Sequence, residues 1–152
     1  MIMQSIRVMA LCLFALAFQA PAAAEEKRTP EEAVAMVKRA VAFYKEHGRD
    51  KAIAEYNNQK GKFVDGSLYI FAYDMKGVNL ASPNPKIIGK NMIEVKDMNG
   101  KPTVKSYLEV AQGKGSGWVD FVWPHPITGV LQPKSAYIEK VDDILVACGI
   151  YK

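Results

Sequence analysis

The stretch GSGWVDFVWPHPITGVLQPKSAYI, residues 115–138, decides how this chain of 152 residues folds. It contains both tryptophans, one of the two histidines (His125), and three of the eight prolines. Strand-like alternation runs up to Pro124 and resumes near Lys134, which predicts two β-strands separated by a turn. So much aromatic surface beside one lysine and one histidine has two interpretations. It is either an ordinary hydrophobic core or the wall of a pocket for a small molecule.

Side chains of a strand alternate between the two faces of its sheet. A strand over residues 116–123 therefore presents two sets of side chains: Trp118, Asp120 and Val122 on one face, and Val119, Phe121 and Trp123 on the other. Trp118, Phe121 and Trp123 cannot all face one pocket. Lys134 and Tyr137 lie on the next strand, and Tyr107 lies on the helix before. An ammonium group and tyrosine hydroxyls within aromatic walls suit a small carboxylate. In the other interpretation the tryptophans fill the core and Lys134 is a solvated lysine.

The segments before this stretch begin with a long helix. Residues 29–32, Thr-Pro-Glu-Glu, form a capping box with proline at the first helical position, and Gly48 is a natural end. Apolar residues at helical spacing between them predict an amphipathic helix of about 18 residues. A weaker helix is predicted from Asp50 to about Asn58.

From Ser67 the pattern changes to strands and turns. Strands are predicted over 67–74, 78–81, 116–123, 134–141 and 144–151, with a helix over 103–112 that Gly113 ends. Short turns between the later strands imply antiparallel pairing. The sequence therefore predicts an α+β domain with the long helix packed across an antiparallel sheet.

Residues 1–24 have the pattern of a secretory signal peptide. Arg7 precedes an apolar run from Val8 to Phe18, and Ala22-Ala23-Ala24 offers a cleavage site. A membrane span needs about 20 apolar residues, so the run is short for an anchor. The expected mature chain, residues 25–152, is one domain that does not span the membrane. Its single cysteine, Cys148, lies in an apolar run and is predicted to be a buried small hydrophobe.

Motifs for catalysis, metals and cofactors are not recognisable in the sequence. There is no CxxC, HExxH, CxxCH, GxSxG or phosphate-binding glycine loop. His47 and His125 are joined by no cysteine or carboxylate cluster with metal-ligand spacing. The charge is mildly basic without a basic stripe, so nucleic acid is not the expected partner. We therefore expect no catalysis, no bound metal and no cofactor.

Five segments in order resemble a known family. They are DGSLYIFAYDMKGVNLASPNPKIIGKNM from Asp65, VKDMNGKP from Val95, GSGWVDFVWPHPITG from Gly115, PKSAYI from Pro133, and VACGIY near the end. Together they are similar to the single Cache domain, the extracytoplasmic sensor module of bacterial chemoreceptors and sensor kinases. The resemblance covers nearly all of the chain from about residue 30.

The resemblance implies a PAS-like fold: a long N-terminal helix on one face of an antiparallel sheet, and a short helix and loops over a ligand pocket on the other. It also implies non-catalytic binding of small organic acids or amino-acid-like metabolites. By position, the family's pocket would involve seven candidate ligand-binding residues: Tyr107, Trp118, Phe121, Trp123, His125, Lys134 and Tyr137. Many relatives have asparagine where His125 stands, so a pH-sensitive contact arises there as a hypothesis.

The predicted function is therefore a periplasmic protein that senses a small anionic metabolite through Lys134 and the hydroxyls of Tyr107 and Tyr137. Receptors of this family continue into a transmembrane helix after the domain, whereas this chain ends at Lys152 and resembles free-standing secreted versions. The alternative is an interaction module with a degenerate pocket. Such a module would bind a membrane sensor protein or form a homodimer through the helix between Thr29 and Gly48.

Overall fold

The structure, a computed structural model, describes residues 27–152. The predicted signal peptide, residues 1–24, lies outside the described residues. Three helices and six strands follow in the order α1 (Pro30–His47), α2 (Arg49–Tyr56), β1 (Val64–Asp65), β2 (Leu68–Asp74), β3 (Asn79–Ala81), α3 (Thr103–Gly113), β4 (Ser116–Pro124), β5 (Leu131–Val141) and β6 (Ile144–Tyr151). Among these residues, no helix is long and apolar enough to cross a membrane.

Helix α1 begins where the sequence predicts. The Thr29 side chain accepts a hydrogen bond from the Glu32 backbone, and the Glu32 carboxylate accepts one from the Thr29 backbone at 2.7 Å. Pro30 occupies the first helical position, where no backbone N–H is needed. The buried face of α1 carries six residues at helical spacing: Ala33, Met36, Val37, Ala40, Val41 and Tyr44. Burying its larger side chains contributes about 1.5–3 kcal/mol each.

The strands form one antiparallel sheet in the order β1-β2-β6-β5-β4, and β3 pairs with β2. The two hairpins after α3 are in regular register over their whole length, with Trp118 opposite Tyr137 and Ile138 opposite Ala147. Helix α1 packs on one face of the sheet, and α3 with the long loop before it packs on the other. This confirms the predicted α+β, PAS-like architecture.

The boundaries of some elements differ from the prediction. Strand β5 begins at Leu131 and not at Lys134, because Pro133 sits opposite Val122 within the ladder. The two-residue strand β1 was not predicted, since Val64–Asp65 is too short to show alternation. Cys148 is buried and its sulfur lies 3.7 Å from that of Met36, which confirms its predicted place in the core.

Candidate functional site

A small cavity lies between the sheet and α3, on the face opposite α1. Its volume is about 30 Å³. A single water needs about 10–15 Å³, so this space holds two waters or a molecule of a few heavy atoms. Fourteen residues line it: Tyr69, Phe71, Tyr73, Asn79, Ser82, Ile87, Met92, Val95, Thr103, Val104, Tyr107, Phe121, Trp123 and Lys134. None of these described residues is acidic.

Lys134 is the charged group of the cavity. Alternation along β5 places Lys134, Ala136 and Ile138 on the cavity face, and the Lys134 side chain is 1% exposed. Its ammonium donates hydrogen bonds to the Tyr69 hydroxyl at 2.6 Å and the Tyr151 hydroxyl at 3.3 Å. It also lies 4.0 Å from the centre of the Tyr69 ring. Burial without a carboxylate partner lowers the pKa of Lys134 to about 7.

Gly149 makes room for this lysine. A Cβ atom at position 149 would lie 2.4 Å from Lys134 Cε and 3.0 Å from the Ser135 carbonyl oxygen. Carbon atoms in contact normally lie about 3.5–4.0 Å apart. A side chain at position 149 therefore cannot coexist with the buried position of Lys134.

The tyrosines of the cavity supply neutral hydroxyl groups. Burial raises the pKa of Tyr69 and of Tyr107 well above the usual value, and that of Tyr73 to about 12. Each phenol therefore stays protonated at neutral pH and can donate a hydrogen bond. The Tyr107 ring stands between Phe71 and Phe121, with ring centres 5.7 Å and 5.4 Å away.

Four of the seven candidate residues meet in this cavity: Tyr107, Phe121, Trp123 and Lys134. Whether they contact a ligand stays a prediction. Phe121 is buried against Tyr107, and Trp123 lies beside Phe121 with ring centres 6.2 Å apart. The sequence placed these two rings on the same strand face, and the structure turns that face towards α3.

Trp118 and Tyr137 lie on the opposite face of the sheet, so the geometry does not bring them to the cavity. The reason is strand alternation: the residues next to each of them in the chain face α3, so Trp118 and Tyr137 face the other way. The two rings pack against each other across β4 and β5, with centres 5.5 Å apart, and Trp118 is 41% exposed. The hydroxyls of Tyr107 and Tyr137 therefore cannot bind the same anion, contrary to the prediction from the sequence.

His125 lies next to the cavity without lining it. It is buried in the turn after β4, where its Nδ1 accepts hydrogen bonds from the backbone N–H groups of Ile127 and Thr128 at 3.3 and 3.4 Å. Its ring contacts that of Tyr151, with centres 4.5 Å apart. Tyr151 in turn contacts Lys134, so His125 is two side chains away from the cavity.

Sequence reasoning missed the wall that β2 contributes. Tyr69, Phe71 and Tyr73 alternate along LYIFAYD and share the cavity face. Both faces of β2 are buried, so residues on both faces are apolar. The sequence therefore shows no alternation of apolar and polar residues that would identify the cavity face. The aromatic residues at every second position were the available signal. Asn79, in β3, had no signal of this kind.

Asp120 lies on the face of β4 that points away from the cavity. Its side chain is largely exposed, accepts a hydrogen bond from the Ser135 hydroxyl and pairs with Lys152 at 3.1 Å. The hydrogen bond from Ser135 and the neighbouring Lys152 lower the pKa of Asp120. Asp120 therefore belongs to the surface and not to the cavity.

Comparison with known proteins agrees with this architecture. The family described as single Cache domain 2 matches residues 25–152. A methyl-accepting chemotaxis protein from Vibrio parahaemolyticus is similar in structure, with a TM-score of 0.69, 26% identity, and coverage of 80% of this chain and 86% of that one. A periplasmic sensor domain of a chemotaxis protein has a TM-score of 0.64 and 25% identity over 80% of this chain and 88% of that one.

A third structure shares the fold at lower identity. It is a Cache chemosensory domain solved for the structural basis of carboxylic acid recognition, with a TM-score of 0.70, 22% identity, and coverage of 80% of this chain and 91% of that one. No curated protein matches the sequence significantly.

The helix, the antiparallel sheet and the cavity between the sheet and α3 define the class of PAS-like ligand-sensing domains. Within that class, the chain belongs to the single Cache domain 2 family. Domains of this family are non-catalytic, extracytoplasmic sensor modules that bind small ligands.

Proposed function

We propose that this protein is a periplasmic sensor domain that binds a short organic acid in the cavity beneath α3. The observation that carries the proposal is the buried ammonium of Lys134, which has hydroxyl and ring partners but no carboxylate within the cavity. Export through a cleaved signal peptide, residues 1–24, is part of the proposal.

The charge of the cavity supports an anionic ligand. A buried ammonium without a counter-ion is costly, which is why its pKa falls to about 7. A carboxylate placed beside Lys134 would restore the charged form and accept a strong, charge-assisted hydrogen bond. The Tyr69 hydroxyl, 2.6 Å from the ammonium, is positioned to donate a further hydrogen bond to the same anion.

The size of the cavity supports a short acid. About 30 Å³ admits acetate or propionate, whereas a drug-sized ligand needs at least about 300 Å³. Tyr107, Phe121 and Trp123 would contact the hydrocarbon part and exclude water. An amino-acid-like ligand would bring an ammonium group as well, and no acidic residue among those lining the described cavity would receive it.

The alternative, a module with a degenerate pocket, predicts a fully packed interior on this face. The cavity and the unpartnered charge of Lys134 favour ligand binding instead. A membrane sensor protein remains the proposed receiver of the signal, and recognition by it is compatible with ligand binding.

The test is calorimetric titration of the purified protein with acetate, propionate, ethylamine and glycine at pH 6 and pH 8.5. We expect the two acids to bind and the amine not to bind. Affinity should fall about tenfold per pH unit above pH 7, because the free protein must then take up a proton to bind the anion.

Two variants complete the test. Lys134→Met should abolish binding of both acids, whereas Lys140→Met, which removes an exposed lysine of the same strand, should leave it unchanged. Unchanged acid affinity in Lys134→Met, or no acid binding by the unaltered protein at either pH, would overturn the proposal.

A further inference from the structure

A further polar group of the cavity is the side-chain amide of Asn79. It belongs to β3, it is fully buried, and it lines the cavity. Its Nδ2 donates to the Ala81 carbonyl oxygen at 3.3 Å. Among the described residues, its Oδ1 has no hydrogen-bond partner. A buried amide oxygen without a donor is unfavourable, so this atom is suited to a donor that a ligand brings.

The two polar atoms of this amide differ in their hydrogen bonding. Nδ2 donates one of its two hydrogens to the Ala81 carbonyl oxygen, whereas Oδ1 accepts a hydrogen bond from none of the described residues. The amide also interacts with the Tyr73 hydroxyl and offsets part of the rise that burial causes in the pKa of that phenol. Asn79 therefore offers an acceptor, Oδ1, to a ligand in the cavity.

Asn79 and Lys134 lie at different ends of the cavity. The Lys134 ammonium contacts Tyr69 and lies 5.6 Å from the centre of the Phe71 ring. The ring of Tyr73 is a further 6.3 Å along the same strand face, and Asn79 is paired with Tyr73 in the sheet. A ligand that reaches both ends therefore needs its carboxylate and its donor separated by hydrocarbon.

We propose that the cavity selects short acids with a hydroxyl group at the end opposite the carboxylate, and that Asn79 Oδ1 is the acceptor that recognises this hydroxyl. The inference rests on the proposed function and names its ligand class. A hydroxyl supplies one donor, which matches Asn79 Oδ1, an acceptor without a partner among the described residues. An ammonium at that end would bring three donors and a second positive charge to a cavity without a carboxylate among its described lining residues.

The test compares pairs of acids that differ only in the hydroxyl group. Calorimetry at pH 6 would measure the affinity ratio for glycolate over acetate and for 3-hydroxypropionate over propionate. We expect a ratio of about ten or more for the longer pair, and a ratio near one for glycolate over acetate, whose hydroxyl is too close to the carboxylate.

Two variants assign the preference to Asn79. Asn79→Leu keeps a similar volume and removes the acceptor, so it should bring the ratio to one or below. Met92→Leu alters the same cavity wall without changing a polar group, so it should leave the ratio unchanged. The ratio is informative even if a variant lowers affinity for both members of a pair.

The outcomes separate this inference from the proposed function. If the alkanoic acids bind as tightly as their hydroxy counterparts at both lengths, the role of Asn79 is wrong and the short-acid proposal stands. If the preference exists but persists in Asn79→Leu, Asn79 is not the acceptor. If no acid binds the unaltered protein at all, both proposals fail. The comparison of each acid with its hydroxy counterpart uses the unaltered protein, so it does not depend on whether Asn79→Leu folds.

Discussion

The buried ammonium of Lys134 should make the stability of the ligand-free protein rise with pH. The pKa of Lys134 is about 7 in the folded protein and 10.5 in the unfolded chain. Between pH 7 and pH 10.5, therefore, the lysine is mainly protonated in the unfolded chain and mainly neutral in the folded protein. Stability then increases with pH by up to about 1.4 kcal/mol per unit. Between pH 6 and pH 9.5 this linkage amounts to about 3 kcal/mol.

Replacing Lys134 with methionine should remove this pH dependence. Methionine has a similar length, and the Tyr69 and Tyr151 hydroxyls, 3.3 Å apart, can still bond to each other. We therefore expect Lys134→Met to be more stable than the unaltered protein by several kcal/mol at pH 6, and the advantage to shrink towards pH 9.5. The variant would gain stability and lose ligand binding.

The assay is urea unfolding followed by tryptophan fluorescence, at steps of half a pH unit from 6 to 9.5 and without added acids. The quantity to plot is the difference in unfolding free energy between Lys134→Met and the unaltered protein. Taking this difference cancels the titration of all other groups, including the buried tyrosines. Lys140→Met, at an exposed position of the same strand, should give a difference within about 0.5 kcal/mol at every pH. A flat difference curve for Lys134→Met would refute the buried, partly deprotonated lysine.

Two further changes test the surroundings of this lysine. Gly149→Ala should destabilise the protein by about 1–3 kcal/mol and weaken acid binding, because the new methyl group occupies the place of Lys134 Cε. Denaturant unfolding measures the loss of stability, and calorimetry measures the loss of affinity. An unchanged affinity for acids would contradict the packing argument. Cys148, whose pKa burial raises to about 11, should react with a thiol reagent at pH 8 only at the rate of unfolding, and rapid labelling of the native protein would show that the thiol is accessible.

Local signals in the sequence were sufficient for most elements of the fold. The capping box at Thr29 and Glu32 begins α1 because its hydrogen bonds are made within one turn of the chain. Strand β6 has the predicted bounds because the turn at Asp142 and Asp143 and the apolar run after it are both local. Strand β5 was predicted too short because strand-like alternation is visible only from Lys134, whereas the ladder with β4 continues through Pro133 to Leu131.

The candidate site was predictable only in part, because a cavity is made by residues far apart in the chain. Alternation correctly grouped Phe121 with Trp123 and separated both from Trp118. It could not tell which of the two sets faces α3, since the two faces of a strand are equivalent until helices pack on the sheet.

What the sequence by itself determined was the helix-then-sheet order and the family, and it named Lys134 only as one of seven candidate ligand-binding residues. The tertiary structure alone decided that Tyr69 would accept a hydrogen bond from Lys134 across 65 residues, and that Gly149 would leave space for that lysine. It also decided that Asn79 would face the cavity with an unpartnered oxygen. The physical reason is that helix caps and strand alternation are set by neighbours along the chain. The burial of a charge or an amide is set by whatever the whole fold places around it.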